Sequence, residues 1–214
     1  MLIRLAVLGC LVGAALPASA AKLRRPASET FFVEPFLVIV IPLSAHDDAL
    51  ARAGFGETTW NNRFGFGASF GGRVWDPLLL DVGLRTSLTF QGSYTANESR
   101  QSYSSSITLF EIVPFARGSV FPFGTDAWGV SAELGLGLLV AGGGKAGSME
   151  VPKEAQMALR LRVALGATWR ISASQAATFD VLSMVTDFPV TTEWKDDLGT
   201  VFSVEPRVGY QFRF

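Results

Sequence analysis

Between Val204 and Phe214 the chain alternates strictly. Val204, Pro206, Val208, Tyr210, Phe212 and Phe214 share one parity, and Glu205, Arg207, Gly209, Gln211 and Arg213 share the other. A period of two sends successive side chains to opposite faces of a strand, so this segment predicts a strand with one apolar and one polar side. The sequence stops there on an aromatic residue, which makes this strand the expected close of the fold. The pattern recurs upstream. Leu80, Val82, Leu84, Thr86, Leu88 and Phe90 alternate with Asp81, Gly83, Arg85, Ser87, Thr89 and Gln91. Met157, Leu159, Leu161, Val163, Leu165, Ala167 and Trp169 oppose Ala158, Arg160, Arg162, Ala164, Gly166, Thr168 and Arg170. Trp128 to Val140 sets leucines and valines against Gly129, Ser131, Glu133, Gly135 and Gly137. Phe64, Phe66, Ala68, Phe70 and Val74 oppose Arg63, Gly65, Gly67, Ser69, Gly71 and Arg73. Weaker strands run near Thr30–Ile41, Ser106–Phe121 and Ala177–Thr186, and the last spans about Val201–Phe214, so eight are predicted.

These runs are long. A strand in a soluble domain usually has about 5–6 residues, whereas a tilted strand needs ~9–11 to cross a bilayer. The connections alternate as well. Pro42–Thr59, Gly92–Ser105 and Gly142–Gln156 are long, Asp187–Thr200 is moderate, and Trp75–Pro77, Pro122–Ala127 and Ser172–Gln175 are short. Long connections rich in Gly, Ser, Thr, Asn and Asp on one side and tight turns on the other fit an even-stranded barrel with both ends in the periplasm.

Charge sharpens the picture. The predicted strands hold Arg63, Arg73, Arg85, Arg117, Arg160, Arg162, Arg170, Arg207 and Arg213, together with Glu34, Asp81, Glu111, Glu133, Asp180 and Glu205. In each strand they fall on one parity. A basic residue on the lipid face at mid-membrane costs ~2–4 kcal/mol, so one parity for all fifteen is what a lipid-facing exterior demands. A soluble sandwich or lipocalin-like barrel shares the periodicity but turns its apolar face inward. Strand length, glycines opposite aromatics and the terminal Phe214 favour the membrane arrangement. In the first and fourth strands the parity is ambiguous, because Phe32, Phe36, Val113 and Phe115 share the polar set.

The first twenty residues read as a signal peptide: Arg4, an apolar run from Leu5 to Leu16, and Ala18-Ser19-Ala20 before a cleavage at Ala21. The run is short for the ~20 residues of a spanning helix. The only cysteine, Cys10, lies within it, with too little apolar sequence before it for a lipidation site. Residues 21–29 form a short periplasmic lead-in, and 30–214 the barrel domain. Removing the signal leaves no cysteine for disulfide or thiolate chemistry. A net charge of −1 with no basic stripe gives no sign of nucleic acid as a partner. Trp75, Trp128 and Trp169 each end a strand beside a short connection, where an interfacial girdle would lie, with Trp60 at the opposite rim.

The signal peptide, the loop rhythm and the closing Val208-Gly209-Tyr210-Gln211-Phe212-Arg213-Phe214 resemble the small eight-stranded outer-membrane barrels of Gram-negative bacteria, of the OmpA transmembrane-domain, OmpX and OmpW kind. The resemblance covers about Thr30 to Phe214. It implies an all-β, antiparallel up-and-down transmembrane barrel, monomeric, in the outer membrane. It also implies that Tyr210, Phe212 and Phe214 form the signal read by the barrel assembly machinery, with periplasmic chaperones as partners on the way. No sequence follows the last strand to match the peptidoglycan-binding domain of OmpA-type proteins, so tethering to the cell wall is not expected.

An eight-stranded barrel has an interior just wide enough for side chains to fill it. Loop order puts Arg85, Glu111, Glu133, Arg162, Glu205 and Arg207 near mid-height, where unpaired charges are too costly to persist. They are expected to form an ion-pair network that plugs the lumen; the functional version is a gate. No cofactor, metal or catalysis is expected. The lone His46, beside Asp47 and Asp48 in the first loop, has no serine placed with it by any motif, and adjacent residues cannot all converge on one ion. Adhesion through Gly92–Ser105 (whose Asn97-Glu98-Ser99 fits a sequon) is one alternative. Conduction of small hydrophobic molecules is another, although nine arginines make the lumen too polar for it.

Overall fold

The computed structural model describes residues 31–44, 58–75, 79–96, 101–122, 127–142, 144–146, 149–151, 156–191 and 200–214. The predicted signal peptide, the 21–29 segment, His46 and the Asn97 sequon lie outside the described residues. Eight walls form a closed ring. In chain order they are β1 (Phe31–Ser44), β3 (Arg63–Trp75), β4 (Leu80–Ala96), β5 (Ser102–Val120), β6 (Trp128–Ala141), β9 (Gln156–Arg170), β10 (Gln175–Pro189) and a last wall made of β11 (Val201–Val204) and β12 (Arg207–Arg213). Every neighbour pairing is antiparallel, and β12 and β11 return to β1. The seam closes at the final residue: Phe31 N donates to Phe214 O at 3.2 Å, and Phe214 N to Phe31 O at 3.1 Å. Although Glu205 and Pro206 interrupt the last wall, Glu205 N still donates to Ser183 O and Ile39 N to Pro206 O.

Which face turns outward decides between the membrane barrel and its soluble rivals. The apolar parity is outside: Phe64 is 63% exposed, Leu134 57% and Leu136 54%. The charged parity is inside, with Arg85, Arg162 and Glu205 each 1% exposed. A lipocalin-like barrel would have the reverse. The ambiguous strands resolve the same way. Phe32, Phe36, Val38 and Val40 of β1 and Val113 and Phe115 of β5 point inward with the charges, while Phe31, Leu37, Ile39 and Phe110 point outward.

Three predicted connections need correction. Gly92–Ser105 is mostly ladder, since β4 runs to Ala96 and β5 starts at Ser102, with Tyr94 opposite Tyr103 and Thr95 opposite Ser102. Ser, Thr and Tyr are polar enough to read as loop, yet they pair well as strand. Gly142–Gln156 contains a hairpin of β7 (Gly144–Ala146) and β8 (Met149–Val151), joined to β5 through Ser105 and Ala146. β10 continues to Pro189, so Asp187 belongs to the barrel wall. With β2 (Thr58–Trp60) on the edge of β4, the loop-side walls extend beyond the length a bilayer requires.

The wall between β1 and β4 is lined with glycine. A methyl group at Gly67 would lie 2.6 Å from the ring of Phe36, and one at Gly83 2.9 Å from that of Phe115. Missing side chains on β3 and β4 therefore make the room that inward aromatics from β1 and β5 occupy. At the tight turn before β4, Leu79 adopts a φ of 43° with its side chain buried. The left-handed conformation costs a non-glycine residue ~1–2 kcal/mol, which burial of the leucine offsets.

Candidate functional site

The six charges expected at mid-height are all inside, and they belong to a larger network. Glu133 on β6 is its centre. Arg85 from β4 grips it with both Nη atoms, at 2.5 and 2.7 Å. Arg117 from β5 donates to it through Nε at 3.0 Å, Arg162 from β9 at 3.3 Å, and Arg207 lies 3.8 Å away. Four guanidiniums thus converge on one carboxylate. Glu34 on β1 balances the other side: it accepts from Arg117 Nη1 at 2.7 Å, Thr178 at 3.1 Å and Gln211 at 3.2 Å. Arg207 Nη2 sits 3.2 Å from Glu34 without the angle for a hydrogen bond, so that contact is coulombic only. Arg162 reaches on to Asp180 at 2.7 Å and Glu205 at 3.0 Å, and Arg207 Nε lies 2.9 Å from Asp180.

A second knot lies nearer the loops. Arg160 donates twice to Asp187, each at 2.8 Å, and also reaches Glu111 and, at 3.1 Å, Glu205. Three carboxylates therefore share Arg160. Glu111 and Glu205 come from the expected set, whereas Arg160 and Asp187 do not. At the opposite, short-turn end, Asp81 holds Arg73 and Arg213. Desolvating any one of these ions alone would cost several kcal/mol, so they persist only as a connected set.

The rings complete the packing. Phe36 lies between Arg85 and Arg207, whose guanidinium carbons are 5.6 and 4.8 Å from its centroid. Phe115 lies between Arg85 at 5.0 Å and Arg117 at 5.3 Å. A guanidinium over a ring face gains roughly 0.5–2 kcal/mol, which explains why aromatics share the charged parity in β1 and β5.

Asp187, which the sequence pattern places at the start of a connection, joins the lumen charges because β10 runs on to Pro189 and a bulge between Asp180 and Leu182 shifts the register by one. Asp180 and Asp187 have opposite parities in sequence and the same face in space; the adjacent apolar pair Val181 and Leu182, both exposed, marks the bulge. Arg160, Arg117, Glu34 and Asp180 carry the right parity, but height along the barrel depends on stagger, which loop order does not give.

Outside, Trp75, Trp128 and Trp169 are 43–49% exposed at the short-turn rim, and Trp128 stacks on Trp169 at 5.5 Å and 8°. β2 places Trp60 opposite Tyr94, at the loop end. Phe212 and Phe214 also face outward, and Tyr210 donates its hydroxyl to Gln175 at 2.8 Å.

No family model matches the sequence, and no curated protein does. Solved structures do match. Neisserial surface protein A aligns with a TM-score of 0.59 at 16% identity, over 86% of this chain and 97% of that one. Ail of Yersinia pestis, in complex with the heparin analogue sucrose octasulfate, aligns at 0.48 and 12% identity, over 87% and 99%. The outer-membrane protein OprG of Pseudomonas aeruginosa gives 0.47 and 12%, over 87% and 96%. The apolar exterior and the likeness to the neisserial protein give one conclusion: the chain folds as an eight-stranded β-barrel of the outer-membrane type, with its charges enclosed.

Proposed function

We propose that this protein is a structural barrel of the bacterial outer membrane whose lumen is plugged by its own ion pairs. The observation that carries the reading is Glu133, 4% exposed and contacted by four guanidiniums from four other walls. Such a knot fills the section a pore would need. The apolar exterior takes lipid as its partner, Trp75, Trp128 and Trp169 sit at the periplasmic interface, and Tyr210, Phe212 and Phe214 serve recognition by the assembly machinery. The described site offers pairing rather than a reaction, and no catalytic role is assigned. Planar-bilayer recording tests the plug. No unitary conductance is expected from the wild type, and steady channels would defeat the reading; opening in a Glu205→Ala, Arg207→Ala variant would restore the gate.

A second reading has its own support. β2, β4, β5, β7 and β8 form a sheet beyond the barrel, rich in Ser, Thr and Tyr, which suits contact with a partner at the cell surface. Cells in which residues 92–105 are replaced by a short turn should then lose adherence while the barrel still inserts. Unchanged adherence would remove this role.

A further inference from the structure

Charge is distributed unevenly along the lumen, and we infer from this that the short-turn mouth is a binding site for an oxyanion, a phosphate or carboxylate group presented from solvent. Such a site goes beyond the plugged-lumen reading and does not depend on whether the lumen conducts.

The interior network is balanced. Arg63, Arg85, Arg117, Arg160, Arg162 and Arg207 face Glu34, Glu111, Glu133, Asp180, Asp187 and Glu205, one carboxylate for each guanidinium. The mouth is not balanced in this way. Among the described residues, Arg73, Arg170 and Arg213 stand there with a single carboxylate, Asp81. All four line a solvent-facing cavity built by six walls. β3 and β4 give Arg73 and Asp81, β5 gives Arg117 and Ser119, β9 gives Thr168 and Arg170, β10 gives Gln175, and β12 gives Gln211 and Arg213. The hydroxyls and amides of this set can donate to an anion without adding charge of their own.

The guanidiniums are held in place without a ligand. Arg73 Nε donates to Asp81 at 3.3 Å. Arg213 grips the same carboxylate and donates through Nε to Gln211 at 2.8 Å. Arg213 also lies over Phe32, 5.4 Å from its centroid, and Arg170 over Phe121 at 4.5 Å. Stacking on a ring covers the face of a guanidinium, not its N–H edge, and that planar fork matches two oxygens of a carboxylate or phosphate. The side chains of Arg73 and Arg213 are only 9% and 14% exposed. Salt screens partly buried cations much less than surface ones, so an arriving oxyanion keeps most of its attraction to them. Preorganised donors, low exposure and a cationic lining together separate this mouth from a merely basic surface.

Unfolding of the full chain in an uncharged, phosphate-free detergent tests the site, with heat-modifiable migration confirming that each variant has folded. Inorganic phosphate titrated against chloride at matched ionic strength should raise the unfolding midpoint saturably, because a ligand that binds only the folded state stabilises it. Arg170→Gln should weaken the apparent phosphate affinity roughly tenfold, the loss of one charge-assisted hydrogen bond. Ser119→Glu supplies a carboxylate within the cavity. It should raise the midpoint without phosphate and abolish the phosphate response, whereas the uncharged Ser119→Gln should do neither. Vesicles separate the two sources of anion. If lipid phosphate occupies the mouth, the response to added phosphate should vanish in phosphatidylglycerol and persist in an uncharged galactolipid; a response in both assigns the site to a free anion. Equal effects of phosphate and chloride in detergent, or a Ser119→Glu variant that responds as the wild type does, would overturn the site. Neither result bears on conductance, so the plugged lumen stands or falls separately.

Discussion

Glu133 and Leu134 are adjacent in sequence and occupy opposite worlds. Glu133 faces inward at 4% exposure and is held by guanidiniums from four other walls. Leu134 faces outward at 57% exposure, with lipid as the neighbour the fold implies. The inner surface is a fixed set of partners, each shaped to the next, and the outer surface needs only to be apolar. What a substitution costs therefore depends more on parity than on position along the chain.

The largest effect should come from emptying the centre. Glu133→Ala leaves Arg85 and Arg162 short of a partner inside the lumen, and breaking one side of a buried pair costs about 3–5 kcal/mol. Equilibrium unfolding in lipid vesicles measures it. The Arg85→Met, Glu133→Leu double variant should lose less than the sum of its single changes, and simple additivity would show that the two do not act as a pair.

On the outer face the penalty runs through solvation instead of pairing. Leu136→Arg puts a guanidinium against hydrocarbon and should cost ~2–4 kcal/mol near the bilayer midplane, read from the same unfolding curves. A cost near zero would mean that Leu136 is not facing lipid. Next comes steric fit within the lumen. Gly67→Ala drives a methyl group against the backbone oxygen of Thr86 as well as the ring of Phe36, and overpacking of this kind costs ~1–3 kcal/mol. Combining it with Phe36→Leu should recover part of the loss; no recovery would place the strain elsewhere.

The comparison also explains what could be read from sequence. Parity along Leu80–Gln91 or Met157–Arg170 shows directly which face holds charge, because lipid tolerates none of it. The fold followed from that rule and from strand length. Stagger leaves no periodic trace, so parity alone does not give the height of Arg160, and the bulge that turns Asp187 inward shows only as the adjacent apolar pair Val181 and Leu182. The aromatics of β1 blurred the parity for a physical reason: Phe32 and Phe36 are inside because guanidiniums and glycines make a place for them. Contacts across the lumen, such as Arg117 to Glu34, join residues far apart in sequence and depend on closure of the whole ring.

The smallest effect gives the sharpest form of the contrast, because near-isosteric changes can be made at both neighbours. Glu133→Gln keeps the shape of the side chain but removes the charge that four guanidiniums share, and lost charge-assisted hydrogen bonds are worth roughly 1.5–3 kcal/mol. Leu134→Met keeps apolar character and volume, and lipid tails rearrange around either shape, so stability should change by less than ~0.5 kcal/mol. Unfolding midpoints measured side by side in one lipid would report the difference. If Leu134→Met cost more than about 1 kcal/mol, the lost term would be shape complementarity, which only a fixed neighbour supplies. The outer wall of β6 would then be packed against another protein rather than against lipid.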